Sequence, residues 1–189
     1  PKARTAPPDP TPSTPISAAY ALHLLDKLRG PDDVVIEEAP STRPTLQQYL
    51  PMDGEDHFYT MASGGLGWAM PAAVGIALGR RKFGRAGRII GLIGDGSAMY
   101  SIQALYSAVA LALPITFLIL NNRRYAALQE FAPVFGYSAD ERPTGTDLPG
   151  IDFVRLAEGH GLKAARVEDL NQLESSLNTA LQADGNGAW

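Results

Sequence analysis

Two short apolar runs, RIIGLI at residues 88–93 and ITFLIL at 115–120, are continuous and rich in β-branched residues, and each ends at a glycine or an asparagine. Such runs read as strands buried on both faces. Between them Met99, Ile102, Leu105, Tyr106, Val109 and Leu113 recur at helical spacing, which predicts a helix over 98–113 and hence a strand, crossover helix and strand. Toward the N-terminus the pattern predicts a helix opened by Thr14-Pro15 that runs to about Arg29 and stops at Gly30. A strand at 34–37, a helix near 45–50, a short strand at 58–61 and an alanine-rich helix at 67–78 follow. Beyond the second run it predicts helix over 125–135 and a proline-containing loop at 138–150, placed to cover a pocket. A helix at 152–160, a strand at 164–167 and a closing helix at 170–181 complete the chain. This alternation predicts an α/β fold, a doubly wound and mainly parallel sheet with helices on both faces.

Polar residues gather where the two apolar runs end. Gly94-Asp95-Gly96 closes the first and Asn121-Asn122 the second, with 24 residues between Gly96 and Asn121. Ligands of such sheets bind beyond the carboxyl ends of the strands. Mg²⁺ takes about six oxygens and shares them with substrate phosphates, so one carboxylate, one amide oxygen and one backbone carbonyl leave room for two phosphate oxygens and a water. Asp95, Asn122 and the Arg124 carbonyl make up such a set. Gly94 and Gly96 let the backbone approach a phosphate, and Ser97 opens a helix whose N-terminus favours an anion. A Gly-Asp-Gly triplet alone is a common strand-to-helix turn; the asparagine pair at the next strand end turns the reading toward a metal-bound diphosphate.

The stretch GDGSAMYSIQALYSAVALALPITFLILNNRRYAAL resembles the signature of thiamine diphosphate enzymes of the 2-oxo acid decarboxylase group. Within that group SGGLGWAMPAAVGIAL and LPGIDFVRLAEGHGLKA are most similar to the benzoylformate decarboxylases, and the similarity extends over about residues 16–182. The resemblance implies that Asp95, Asn122 and the Arg124 carbonyl hold Mg²⁺, and that Ser41, Thr42, Gly96 and Ser97 meet the diphosphate beside Gly94. It implies that the Gly64 carbonyl accepts from the aminopyrimidine and that Leu66 is the apolar wedge that bends the cofactor. Tyr125 would pack near the cofactor, and Ala127, Leu128 and Phe131 would line a substrate pocket with space for a flat aromatic acyl group. Three departures bear on substrate more than on cofactor: Met99 stands where the family often has a polar residue, Pro40 replaces a hydroxyl residue, and Arg123-Arg124 replace smaller ones.

Composition narrows the remaining choices. The chain has 189 residues, 45% hydrophobic and 19% charged, enough for one well-buried domain. A net charge of -4 and a single basic stretch, Arg80, Arg81, Lys82, Arg85 and Arg88, argue against a nucleic-acid partner; the stretch reads as a solvated loop between helix and strand. There is no cysteine, which excludes disulfides and thiolate chemistry, and no apolar run of 18 residues, so no membrane span and a cytoplasmic location are expected. His23 on a helix, His57 in a loop and His160 near a helix end do not form a metal cluster in sequence.

Residues 1–15 hold six of the 15 prolines and read as an extended linker, with the folded domain at 16–189. Glu37-Glu38 invites a general-base reading, but the resemblance gives that strand end to the diphosphate loop; Trp68 and Met70 read as core, and Tyr100 as facing either site or sheet. No catalytic residue is expected within this chain. The resemblance places the activating glutamate on a separate pyrimidine-binding domain of a partner subunit, so the chain is expected to be the diphosphate-binding domain of a longer enzyme, inactive alone, that assembles as a homodimer or tetramer. The whole enzyme is expected to convert an aromatic 2-oxo acid, benzoylformate, to benzaldehyde and CO₂. Acetohydroxyacid synthase, oxalyl-CoA decarboxylase and branched-chain 2-oxo acid decarboxylase remain alternatives of the same group, and an isolated interaction module without turnover is the alternative of another class.

Overall fold

Successive side chains of a buried strand face opposite sides of the sheet, and in this protein both sides are apolar because both are covered by helices. The computed structural model describes residues 7–52, 54–138 and 140–182. Its order is α1 (Ala18–Leu28), β1 (Val34–Glu38), α2 (Arg43–Tyr49), β2 (Phe58–Thr60), α3 (Ala69–Lys82), β3 (Ile89–Gly94), α4 (Asp95–Ala98), α5 (Ala104–Ala110), β4 (Ile115–Leu120), α6 (Ala126–Phe131), a 3-10 turn (Ala132–Phe135), α7 (Phe153–Gly159) and α8 (Leu170–Gln182). The four strands form one parallel sheet in the order β2-β1-β3-β4. Register is tight at the carboxyl edge: Glu38 stands opposite Ile93, and Gly94 opposite Leu120.

Alternation along the strands builds two core layers. Val34, Ile36, Ile89, Ile93, Ile115 and Phe117 pack under α3, α5 and α7 with Met70, Ala73 and Leu105. Val35, Ile90 and Leu92 pack on the other side with Leu22 and Leu25 of α1 and with Leu46 and Leu50 in and just after α2. Each fully buried aliphatic side chain contributes about 1.5–3 kcal/mol. The buried Thr116 hydroxyl donates to the Ala180 carbonyl (2.9 Å), which ties α8 to β4. Among the described residues no helix is long and apolar enough to cross a membrane.

The doubly wound parallel sheet holds, and so do most predicted elements within a few residues. Four differences have local causes. The first helix starts at Ala18, because the Ser17 hydroxyl accepts from the Tyr20 amide (3.2 Å) and so caps it there, past Thr14-Pro15. The helix predicted over 98–113 is two pieces: α4 begins directly on Asp95, residues 99–103 turn, and α5 then runs only to Ala110 before Ala112 takes a positive φ of 46°. The helix predicted over 125–135 tightens at Ala132 into the 3-10 turn, which carries Pro133 near its start. Residues 164–167 form no strand. They line the same cavity of about 650 Å³ as Phe117 to Leu120 and pair with none of the four strands. The basic stretch is partly helical: Arg80, Arg81 and Lys82 form the last turn of α3, where cations suit the helix dipole.

Gly91 is a packing glycine. It pairs with Phe117 across the sheet, and a Cβ at residue 91 would lie 2.9 Å from Phe117 Cδ1. Gly91→Ala is expected to destabilise the domain by about 1–3 kcal/mol, with Phe117→Leu in the same chain restoring a large part. Equilibrium denaturant unfolding of the single and double variants checks this, and equal losses in both would contradict it.

Candidate functional site

The carboxyl edge of the sheet collects polar residues that apolar strands cannot hide, and each strand end solves the problem differently. At β1, Glu37 and Glu38 are both fully buried. Glu37 Oε1 accepts from the Ala39 amide (2.6 Å), and its Oε2 accepts from Arg43 Nε (2.9 Å) and the Thr60 hydroxyl (2.8 Å). Glu38 reaches the other side, where Oε1 accepts from the Gly67 amide (2.6 Å) and Oε2 from the Ala69 amide (2.5 Å). The α3 N-terminus has no side-chain cap of its own, so Glu38 at the end of β1 serves as one.

At β3, Asp95 is buried (2% exposed) and only half satisfied. Its Oδ1 accepts from the Gly96 amide (2.8 Å), while Oδ2 makes no hydrogen bond among the described residues. Burial raises the Asp95 carboxyl above the ordinary aspartate range; the amides of Gly96, Arg123 and Arg124 pull the other way without cancelling it. Gly96 has no room for a side chain, since a Cβ would lie 2.5 Å from Tyr125 Cδ1 and Cε1. Tyr125 in turn stacks edge-on against Tyr100 at 6.4 Å, and burial, then Tyr100 and Asp95, raises its phenol.

At β4 the chain turns sharply. Asn121 Oδ1 accepts from the Arg123 amide and Asn122 Oδ1 from the Arg124 amide, each at 3.1 Å, and Arg123 sits at φ 60° in the left-handed region. Residues 146–148 pin the turn from outside. The Leu148 amide donates to the Arg123 carbonyl (2.7 Å), the Tyr125 amide donates to the Thr146 carbonyl (2.8 Å), and Arg124 bridges Asp147 in antiparallel sense. The loop predicted to cover a pocket is therefore fastened, at 146–148, to the asparagine turn.

Ser41, Thr42, Asn122 and Arg124 all line the same cavity, and the Gly94 to Leu120 pairing sets Asp95 beside Asn121 at the strand ends. Ser97 is buried next to Asp95. The Gly96 amide points back to Asp95, and α4 is only four residues long, so the anion-binding helix start expected at Ser97 is a single turn. Gly64, at φ 76°, is exposed and Leu66 half-buried, on a turn that faces open space. Leu128 and Phe131 are exposed and Ala127 half-buried, so within this chain they form an open face and not an enclosed pocket. Met70 is core, whereas Trp68 is 36% exposed. Sequence reasoning missed the roles of Glu37, Glu38 and Thr146. For the glutamates a signal was present: two adjacent acids at the end of an apolar strand must each find donors, one on each face.

These groups suit a hard cation that brings oxygen ligands of its own. Among the described residues no three His, Cys, Asp or Glu side chains converge, so there is no ready-made centre of side chains alone. Mg²⁺ shared with a diphosphate asks for less, and the free Oδ2 of Asp95 is a buried anionic oxygen in need of a partner.

Comparison with known proteins agrees with this chemistry. The C-terminal TPP-binding domain of thiamine pyrophosphate enzymes matches residues 41–187; thiamine pyrophosphate is the same molecule as thiamine diphosphate. The benzoylformate decarboxylase of Pseudomonas aeruginosa is 37% identical over 90% of this chain and 31% of its own length. The acetolactate synthase isozyme 2 large subunit of Escherichia coli is 30% identical over 90% of the chain and 31% of its own. The crystal structure of benzoylformate decarboxylase from Polynucleobacter necessarius superposes with a TM-score of 0.88 at 34% identity, over 96% of this chain and 34% of that one. The chain thus spans about a third of the length of these relatives.

Burial of a half-satisfied carboxylate has a sign that pH reads out. With its pKa raised in the folded state, Asp95 favours folding when protonated, and that contribution is lost as pH rises through the raised value. In metal-free buffer at neutral pH, Asp95→Asn is therefore expected to stabilise the domain by about 1–3 kcal/mol. The advantage is expected to vanish at pH values below the ordinary carboxylate range, where wild-type Asp95 is neutral too. Thermal unfolding of both proteins against pH measures it; a variant less stable at neutral pH would contradict the burial argument.

Proposed function

The chain belongs to the thiamine pyrophosphate enzymes as a thiamine pyrophosphate-binding domain, and from that premise we propose that the whole protein decarboxylates an aromatic 2-oxo acid without oxidation, taking benzoylformate to benzaldehyde and CO₂. The observation that carries the site is the buried Asp95 carboxylate with one oxygen free, at the strand end next to the asparagine turn. In this reading Asp95, the Asn122 amide oxygen and the Arg124 carbonyl hold Mg²⁺, and Ser41, Thr42 and the Gly94 to Ser97 turn hold the diphosphate. The Gly64 carbonyl would accept from the aminopyrimidine, Leu66 would support the rings, and Tyr125 would close the side toward Gly96. When bound, thiamine diphosphate supplies the electron sink that loss of CO₂ from a 2-oxo acid requires. This chain positions the group and shields it on one side.

Substrate choice falls to the open face. Beside the exposed Leu128 and Phe131, a small residue at Ala127 would leave space for the flat surface of an aromatic acyl group. The same face continues through Val134, Phe135 and Tyr137, all exposed. Contiguous exposed apolar surface suits a covering partner. We assign that cover to the pyrimidine-binding domain of a second subunit, which brings the activating glutamate, in a homodimer or tetramer. The similarity to an acetolactate synthase at 30% identity keeps a second reading, condensation of two 2-oxo acids in place of aldehyde release.

Turnover by the full-length protein, supplied with Mg²⁺ and thiamine diphosphate, separates the two readings. Benzaldehyde release from benzoylformate is expected, with kcat/KM at least about tenfold above that for pyruvate, the scale that one apolar pocket can discriminate. Phe131→Ala is expected to narrow that ratio. A preference for pyruvate, or acetolactate as product, would replace this reading with the second.

A further inference from the structure

Glu37 and Glu38 are adjacent in sequence, yet they act on opposite faces of the sheet. Glu37 shares the face of Val35 and binds the loop that leads into α2, through the Ala39 amide and Arg43 Nε, with the Thr60 hydroxyl as a third donor. Glu38 shares the face of Val34 and Ile36 and binds the start of α3, through the amides of Gly67 and Ala69. Alternation in a strand makes this division unavoidable. One carboxylate shapes the segment that carries Ser41 and Thr42; the other shapes the segment that carries Gly64 and Leu66.

The second segment depends heavily on its carboxylate. Residues 62–65 are exposed, and the hydrogen bond from the Gly65 amide to the Ser63 hydroxyl is long at 3.4 Å. Gly67 has φ 96°, and a Cβ there would meet Tyr100 Cβ at 2.8 Å, so the chain enters α3 in a conformation with little tolerance. Two charge-assisted hydrogen bonds to a fully buried acid hold it there. We propose that Glu38 is a positioning residue: it fixes the Gly64 to Gly67 turn against the thiazolium and aminopyrimidine end of the cofactor, separately from the diphosphate loop, which Glu37 fixes. This rests on the cofactor reading given above. A glutamine at 38 keeps the shape but turns an NH₂ toward one of the two amides, donor against donor. An aspartate keeps the charge but falls one methylene short of reaching both.

The test uses two probes that share a diphosphate and differ in the rings: Mg²⁺ with inorganic pyrophosphate, and Mg²⁺ with thiamine diphosphate, each titrated calorimetrically into the full-length protein. Glu38→Gln is expected to weaken thiamine diphosphate by about tenfold or more, the scale of one lost hydrogen bond to a charged group, while pyrophosphate stays within about twofold. Glu38→Asp is expected to show the same selectivity, which keeps the test open where the glutamine variant loses its fold on thermal unfolding. Glu37→Gln is expected to weaken both probes alike. Glu38 variants that bind both ligands as the wild type does, or that lose both equally, would overturn the assignment of Glu38. Wild-type full-length protein that binds neither probe would instead overturn the cofactor reading beneath it.

Discussion

The constraint on which this structure depends is burial of anionic oxygen at the carboxyl edge of a parallel sheet covered on both faces. Water cannot reach Glu37, Glu38 or Asp95, so each must be satisfied by protein groups or be left wanting. Glu37 and Glu38 are satisfied, by five donors between them, and in being satisfied they shape the two loops on either side of β1. Asp95 is left with a free oxygen. One acid left open where two neighbouring acids are fully bonded is the observation behind the proposed cation site.

That place is held from several directions. The sheet register sets the ends of β3 and β4 level, so the Asp95 turn and the asparagine turn share one edge. Tyr125 lies against Gly96, and the bonds to residues 146–148 keep the asparagine turn in its left-handed shape at Arg123. By contrast Gly64, Leu128 and Phe131 look outward. The domain is heavily hydrogen-bonded where the charged end of a ligand would sit and exposed where the rings and substrate would sit. The chain spans about a third of its relatives' length, and the cover proposed for the open face is a domain of a second subunit.

Much of this was legible in the residues, and the reasons are physical. The runs at 88–93 and 115–120 could hardly be anything but buried strands, and the polar residues at their ends had to fall at one edge. The broken crossover helix was not legible, because Met99 and Tyr100 keep helical spacing while standing exposed on a turn. The strand expected at 164–167 failed for a tertiary reason: local β-propensity is not enough without an edge to pair with, and these residues line a cavity together with β4 and join no strand. The structural task of Glu37 and Glu38 shows only once strand alternation is joined to burial.

The central claim is that Asp95 anchors a cation-bound diphosphate, and calorimetric titration of thiamine diphosphate into this chain, with and without Mg²⁺ and with Asp95→Ala beside the wild type, tests it most directly. Binding that appears only with Mg²⁺ and only with Asp95 intact is the predicted result. Binding that is indifferent to Mg²⁺ or survives loss of the Asp95 carboxylate would contradict the account.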